Sequence, residues 1–267
     1  VRIGSTSYVY PADIITNVRL LAGTVQDIEL VLFEVDDDLN QPPDRKTISE
    51  LKALAADHCM TYTVHLPLDL RLADEENTRT VENARRVIDA TSELAPHGFI
   101  VHLESDHTDP VASPNRFVEN SVRSLELLAA PAGGYGCLCV ENLENVPTEI
   151  IDLVLKQAPV SCCIDVGHLW KQRLDACAHV ERLLPRARVV HLHGVDGRDH
   201  KALSRMPEEE VERVAAILDR GFTGVVTLEV FNPADFRDSV EDFQRALHQV
   251  RSTGRTVVRP AVIRQLG

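Results

Sequence analysis

Aromatic residues are scarce, at 4% of 267 residues with a single tryptophan, and basic residues are outnumbered, leaving a formal net charge of −13. Both shortages count against a nucleic-acid partner. An acidic surface repels a phosphate backbone, and few rings are available to stack on bases or wedge between them. No apolar run approaches the roughly 18 residues that a membrane helix requires, and no segment reads as a secretory signal. The six cysteines (Cys59, Cys137, Cys139, Cys162, Cys163, Cys177) form no Cys-x-x-Cys pair and no disulfide framework. Most lie inside apolar runs, which fits reduced, buried thiols and a cytoplasmic location. No Gly-x-Gly-x-x-Gly follows the first strand-like run, so the dinucleotide-binding fingerprint is missing. The Gly133-Gly134-Tyr135-Gly136 cluster precedes a strand and reads as a loop.

What the chain does have is alternation. Apolar runs occur at Arg2–Thr6, Asp27–Glu34, Thr61–Leu66, Gly98–Glu104, Cys137–Asn142, Ser161–Val166, Arg188–His193 and Val225–Phe231. Continuous apolar character without a polar alternate face is what a parallel strand covered by helices needs. Amphipathic stretches separate the runs: Ala12–Leu21, Arg45–His58, Asp74–Leu94, Asn115–Leu128, Thr148–Gln157, Asp175–Leu184, Pro207–Arg220 and Ala234–Arg251. Ser113-Pro114 and Pro147-Thr148-Glu149 are helix starts, with proline pre-set for the first turn. Eight strand–helix alternations without a composition break predict an α/β fold, a single (β/α)₈ TIM barrel over residues 1–267. The tail after about residue 252 lacks a core pattern and is expected to be loosely packed.

In such a barrel the chemistry sits at the C-terminal ends of the strands. From the third strand onward those ends carry His65, His102, Glu141, Asp165 with His168, His191 with His193, and Glu229. One histidine at a strand end is an ordinary rim residue. Six consecutive ends converging on one mouth are different, because buried carboxylates without a cation are costly. Imidazole with carboxylate suits Zn²⁺, Mn²⁺ or Fe²⁺. The remaining histidines (His58, His97, His107, His179, His248) fall in helices and turns and read as surface residues. Asp36-Asp37-Asp38 reads as a solvated loop. Tyr8 and Tyr10 after the first strand, Glu34 ending the second, and His193, Arg198 and Lys201 around the seventh are candidate substrate contacts. Trp170 and Lys171 follow the sixth strand, with Trp170 read as a packed rim residue.

These strand ends resemble the xylose-isomerase-like barrels that include the endonuclease IV type of apurinic endonuclease. Ile164-Asp165-Val166-Gly167-His168 resembles that family's Asp-x-x-His after the sixth strand. Val190-His191-Leu192-His193-Gly194 resembles its seventh-strand segment, Val140-Glu141-Asn142 its fifth-strand glutamate, and Leu228-Glu229 its eighth. The resemblance implies that His65, His102 and Glu141 hold one divalent metal, and that Glu141, Asp165, His191 and Glu229 hold a second, zinc or manganese. It would place a third on His168 and His200. The partnering aspartate is displaced here, in Asp196-Gly-Arg-Asp199-His200-Lys201, so the third site is in question.

The stretch Gly4-Ser-Thr-Ser-Tyr8-Val-Tyr10-Pro-Ala-Asp-Ile14, with Leu20-Leu-Ala-Gly23 and Asp27-Ile-Glu-Leu-Val-Leu-Phe-Glu34, resembles the cobamide-remodelling phosphodiesterases of the same superfamily. That implies a hydrolase opening the nucleotide-loop phosphodiester of a corrinoid, with Glu141, Glu229 and Asp165 in catalytic roles. The corrinoid would be a substrate, since the Asp-x-His-x-x-Gly signature of base-off corrinoid carriers is missing. A single-metal sugar isomerase or epimerase is the alternative. It would need only Glu141, Asp165, His191 and Glu229, with the two glutamates moving a proton beside a carbonyl. An apurinic-site DNA endonuclease ranks third on charge and aromatic content, and a barrel that binds metal without catalysing ranks last.

Overall fold

Strands buried on both faces are what the Val/Ile/Leu runs specify, and they close here into a ring. The computed structural model describes residues 1–32 and 42–253. The barrel strands are β1 (Arg2–Thr6), β2 (Asp27–Val31), β3 (Thr61–His65), β4 (Phe99–Val101), β5 (Leu138–Glu141), β6 (Ser161–Asp165), β7 (Ala187–Leu192) and, after a hairpin, β10 (Val225–Leu228). The hairpin pairs β8 (Gly194–Asp196) antiparallel with β9 (Arg198–Lys201). Strand order is β1-β10-β7-β6-β5-β4-β3-β2, all parallel, and β1 pairing with β2 closes the barrel. The (β/α)₈ expectation holds.

Helices return the chain from the top of one strand to the bottom of the next. They are α1 (Ile14–Leu21), α2 (Arg45–His58), α3 (Thr78–Thr91), α4 (Pro114–Ala129) and α5 (Thr148–Gln157). The second half adds α6 (Val166–Lys171), α7 (Ala176–Leu183), α8 (Glu208–Asp219) and α9 (Pro233–Thr253). Aspartates start several of them: Asp13, Asp44 and Asp175 accept a backbone N–H of the first turn of α1, α2 and α7. Each such cap is worth about 1 kcal/mol. Pro114 opens α4, as its sequence suggests. None of the described helices is long and apolar enough to cross a membrane.

Several strands are shorter than their apolar runs. His102 and Glu229 each lie one residue past the last ladder residue of β4 and β10, and the run beginning at Gly98 yields only Phe99–Val101. At the top of a barrel the strands splay, and side chains that face the mouth leave the ladder. The short α6 and the β8–β9 hairpin have no counterpart in the strand–helix alternation of the sequence; both sit at that end. Glu34, Asp36, Asp37 and Asp38 lie outside the described residues, as does the tail beyond Thr253.

The main apolar core lies between strands and helices. A separate cluster, Ile100, Cys139, Cys163 and Val189 on β4 to β7, fills one side of the interior. β2, β3 and β10 contribute Asp27, Glu29, Thr63 and Thr227, all fully buried. Burial raises the Asp27 carboxyl to about 6, against the opposing hydrogen bonds of Thr61 and Thr63. The interior is therefore half apolar and half polar, and the apolar half is a plug. Ile100→Ala should cost about 2–5 kcal/mol, read as a lower urea midpoint, while metal content is unchanged.

Candidate metal centre

Glu141, at the end of β5, is the hub. Its side chain is buried, with Oε2 3.1 Å from His102 Nε2 and 3.5 Å from His65 Nε2. Its other oxygen, Oε1, lies 3.5 Å from His191 Nδ1 and 3.7 Å from His168 Nδ1. One carboxylate thus faces two sets of imidazoles. His65 Nδ1 lies 2.7 Å from the Leu66 carbonyl, which can only accept, so Nδ1 carries a proton and Nε2 turns to the cluster.

Beside it, His191 Nδ1 lies 3.1 Å from Glu229 Oε2 and 3.8 Å from Asp165 Oδ2. Yet His191 Nδ1 and Glu229 Oε2 are both buried without a hydrogen-bond partner among the described residues. Lone pairs that crowd together without bonding to each other suit a shared cation. Among the groups whose ligand atoms lie within 4.8 Å of one another are His65–His102–Glu141, Glu141–Asp165–His191–Glu229 and His168–His193–His200, and Glu141–Cys163–His191 and Glu29–His65–Glu229 overlap the first two. The donor chemistry of the first two is that of zinc or manganese.

Local structure explains the Asp-x-x-His spacing. Asp165 ends β6 and caps α6, accepting the His168 N–H on Oδ1 at 2.6 Å. Asn142 holds the same residue from the neighbouring strand, pairing with both its N–H and its carbonyl at 2.9 Å. Behind Asp165 lies His193, fully buried, its Nε2 3.3 Å from the carboxylate and its Nδ1 facing the His200 N–H at 3.0 Å. The His193 ring occupies the space above Gly167, where a Cβ would come within 2.0 Å of it. His193, expected to touch substrate, thus supports a ligand from inside. His200 adopts a left-handed backbone (φ 52°) that aims its N–H at His193, while its Nδ1 donates to the Glu229 carbonyl at 3.1 Å. Histidine tolerates that region better than most residues.

Asp199 does not join the third group. Its carboxylate takes Lys171 Nζ at 2.7 Å, and the same ammonium reaches Glu144 at 2.7 Å. This bridge ties together the segments after β5, β6 and β7. A second clamp joins the loops after β3 and β4: Arg71 pairs with Glu104 and Asp106, and Asp74 accepts from Ser105 and the His107 N–H. Between the clamps lies a cleft of about 480 Å³ lined by His102, Glu104, Leu143, Glu144, Asn145 and His168. On the rim, Tyr8 is exposed, Tyr10 packs against the core, and Arg198 and Lys201 lie on β9. Trp170 also packs against the core, its indole N–H buried and without a hydrogen-bond partner.

Two contributors escape a reading of the sequence. Asn142 adjoins a ligand but carries no chemistry of its own. Glu29 is fully buried in β2, with Oε2 2.9 Å from His191 Nε2. Its signal is an acidic residue flanked by Ile28 and Leu30 in a strand that also opens on Asp27.

Charge balance sets the protonation. Burial opposes the charged form of His65, but Glu141 and the carboxylates of Glu29 and Glu229 outweigh it and raise the imidazole to about 9. The same contest raises His193 to about 9, through Asp165, and holds His191 well above its ordinary value. Burial raises Glu141 and Glu229, yet His191 with His102 or His200 holds both below the usual carboxylate range.

The xylose isomerase-like TIM barrel family matches residues 24–252. No curated protein is significantly similar in sequence. Among solved structures, a D-tagatose 3-epimerase-like protein superposes with a TM-score of 0.78 at 21% identity, over 96% of this chain and 100% of that one. Endonuclease IV from Thermus thermophilus gives 0.70 at 17%, over 93% and 100%. The 3-keto-D-glucoside 4-epimerase of E. coli gives 0.67 at 16%, over 94% and 98%. Identities this low speak to the fold alone.

The raised imidazoles fix a pH signature. A His65 value raised from 6.5 to about 9 gives stability that is fully present below 6.5 and lost as pH rises through about 9. Melting of metal-free protein should therefore fall across that window. Metal-loaded protein should not follow, because ions replace the protons, and affinity for Zn²⁺ should rise over the same range. A flat metal-free profile measured by calorimetry would contradict this.

Proposed function

The chain belongs to the xylose isomerase-like TIM barrel family, and from that premise we propose that it is a metal-dependent phosphodiesterase acting on the nucleotide loop of cobamides. The observation that carries the reading is the double use of Glu141, whose two oxygens face His102 with His65 on one side and His191 on the other. A carboxylate so placed suits two neighbouring cations. His65, His102 and Glu141 would hold one, and Glu141, Asp165, His191 and Glu229 the other. Cations there would supply polarisation of the phosphoryl oxygens and acidify water towards neutrality.

The side chains supply the rest. Glu229, held ionised by His191 and His200 against its burial, would orient the attacking water by accepting its hydrogen bond. Asp165 is held by the His168 N–H, by Asn142 on its backbone and by His193 on its carboxylate. In hydrolysis water oxygen bonds to phosphorus, the ester P–O bond breaks, and a proton ends on the departing alkoxide. Arg198 and Lys201 on β9 are candidates to neutralise phosphate charge. Exposed Tyr8, Leu68 and Val111, on segments after β1, β3 and β4, give the strand-end face apolar ground suited to a broad, partly apolar substrate such as a corrin. The net charge of −13 disfavours a DNA substrate.

A sugar epimerase is the second reading, favoured by a group of four strand-end side chains that would suffice for a single cation. It uses the Glu141–Asp165–His191–Glu229 set and gives no account of His65 and His102 turned onto Glu141. The test is metal analysis of purified protein together with incubation of a cobamide and chromatography of its corrinoid products. More than one equivalent of metal is expected, with a cobinamide-type product that disappears in His65→Ala and Glu141→Ala and after chelation. One equivalent with intact cobamide would overturn the proposal in favour of ketose and aldose substrates.

A further inference from the structure

Glu29 is a carboxylate with no exposure, set in a strand whose five residues are all buried. Oε2 lies 2.9 Å from His191 Nε2, and Oε1 has no hydrogen-bond partner among the described residues. The contact crosses the barrel interior from β2 to β7, between residues 162 positions apart. On the far side of the ring, Nδ1 faces Glu229 at 3.1 Å, Glu141 at 3.5 Å and Asp165 at 3.8 Å. The two ring nitrogens thus meet different demands: one meets an acceptor deep in the barrel, and the other points its lone pair into the cluster.

We infer that Glu29 is a positioning residue for the cation of the Glu141–Asp165–His191–Glu229 set. It takes the Nε2–H of His191, fixes that tautomer, leaves Nδ1 bare towards the ligand atoms, and makes the imidazole a stronger donor. Metal-binding histidines are commonly oriented this way, and losing the outer partner typically weakens metal binding. The surroundings reinforce it. Ile100, Cys139, Cys163 and Val189 fill the adjoining interior and keep water from competing for the bond. Thr227, beside His191 in the strand register, has a buried hydroxyl without a hydrogen-bond partner among the described residues, so it does not replace the contact. The inference rests on reading that set as a metal site, and on nothing about the substrate.

The test reads metal binding and not turnover. Metal-free protein is titrated with Co²⁺ against a chelator, comparing wild type with Glu29→Gln, which keeps the volume and removes the charge, and with Glu29→Asp. Glu29→Gln should weaken one equivalent about 10- to 100-fold and the His65–His102–Glu141 equivalent, whose His65 also lies near Glu29, by clearly less, while Glu29→Asp recovers part of the loss. Parallel weakening of both equivalents, or affinities equal to wild type in a folded variant, overturns the inference while leaving the phosphodiesterase reading intact. Failure of wild type to bind Co²⁺ overturns both. Should Glu29→Gln not fold, ¹⁵N spectra of histidine-labelled, zinc-loaded wild type decide the matter: His191 must carry its proton on Nε2, and a proton on Nδ1 refutes the assignment.

Discussion

Everything at the mouth of this barrel answers to one electrostatic demand: Glu29, Glu141, Asp165 and Glu229 are all buried and must be offset by positive charge. A carboxylate removed from water without a partner is among the most destabilising groups a protein can bury. Metal-free protein meets the demand with protons, which is why His65, His168, His191 and His193 all titrate above their ordinary range. Divalent cations meet it with fewer, larger charges. Protons and metal ions would be competing occupants of one charge deficit, since the same imidazoles can carry the one or face the other.

The geometry that creates this deficit is local and ordinary. A strand end, a helix cap and a backbone carbonyl each contribute one constraint. Asp165 shows how they converge, since the same carboxylate that caps α6 also faces His191, while His193 holds the carboxylate and Asn142 the backbone from two other segments. Mobility in any one of these elements would reach the others through that residue.

The barrel was legible because strands covered on both faces must be apolar throughout, and helical stretches between them leave few alternatives. The strand-end residues were legible because polar groups stand out against that background, and His65, His102, Glu141, Asp165, His191 and Glu229 do come together. The same background hid Glu29. In a strand apolar on both sides, sequence carries no phase, so nothing in it tells whether Asp27 and Glu29, which share a face, turn to the axis or to the helices. His193 was misplaced for a related reason. Two residues after His191 it looked like a second mouth residue, but the hairpin that follows folds back over it and buries it. The engagement of Asp199 by Lys171 is equally invisible, because it joins segments 28 residues apart through side chains alone.

The two clamps around the cleft have a consequence for altering what enters it. Lys171 with Glu144 and Asp199 makes one unit of the segments after β5, β6 and β7, while the contacts of Arg71 and Asp74 make another of the loops after β3 and β4. The mouth is then a pair of jaws, each internally braced, rather than a ring of independent loops. Widening a jaw from within means breaking ion pairs and loosening the residues that hold the ligands. Asn145 lines the opening, is exposed and belongs to neither brace, so it is the position at which the aperture can be recut for a different guest while both jaws keep their grip on the site.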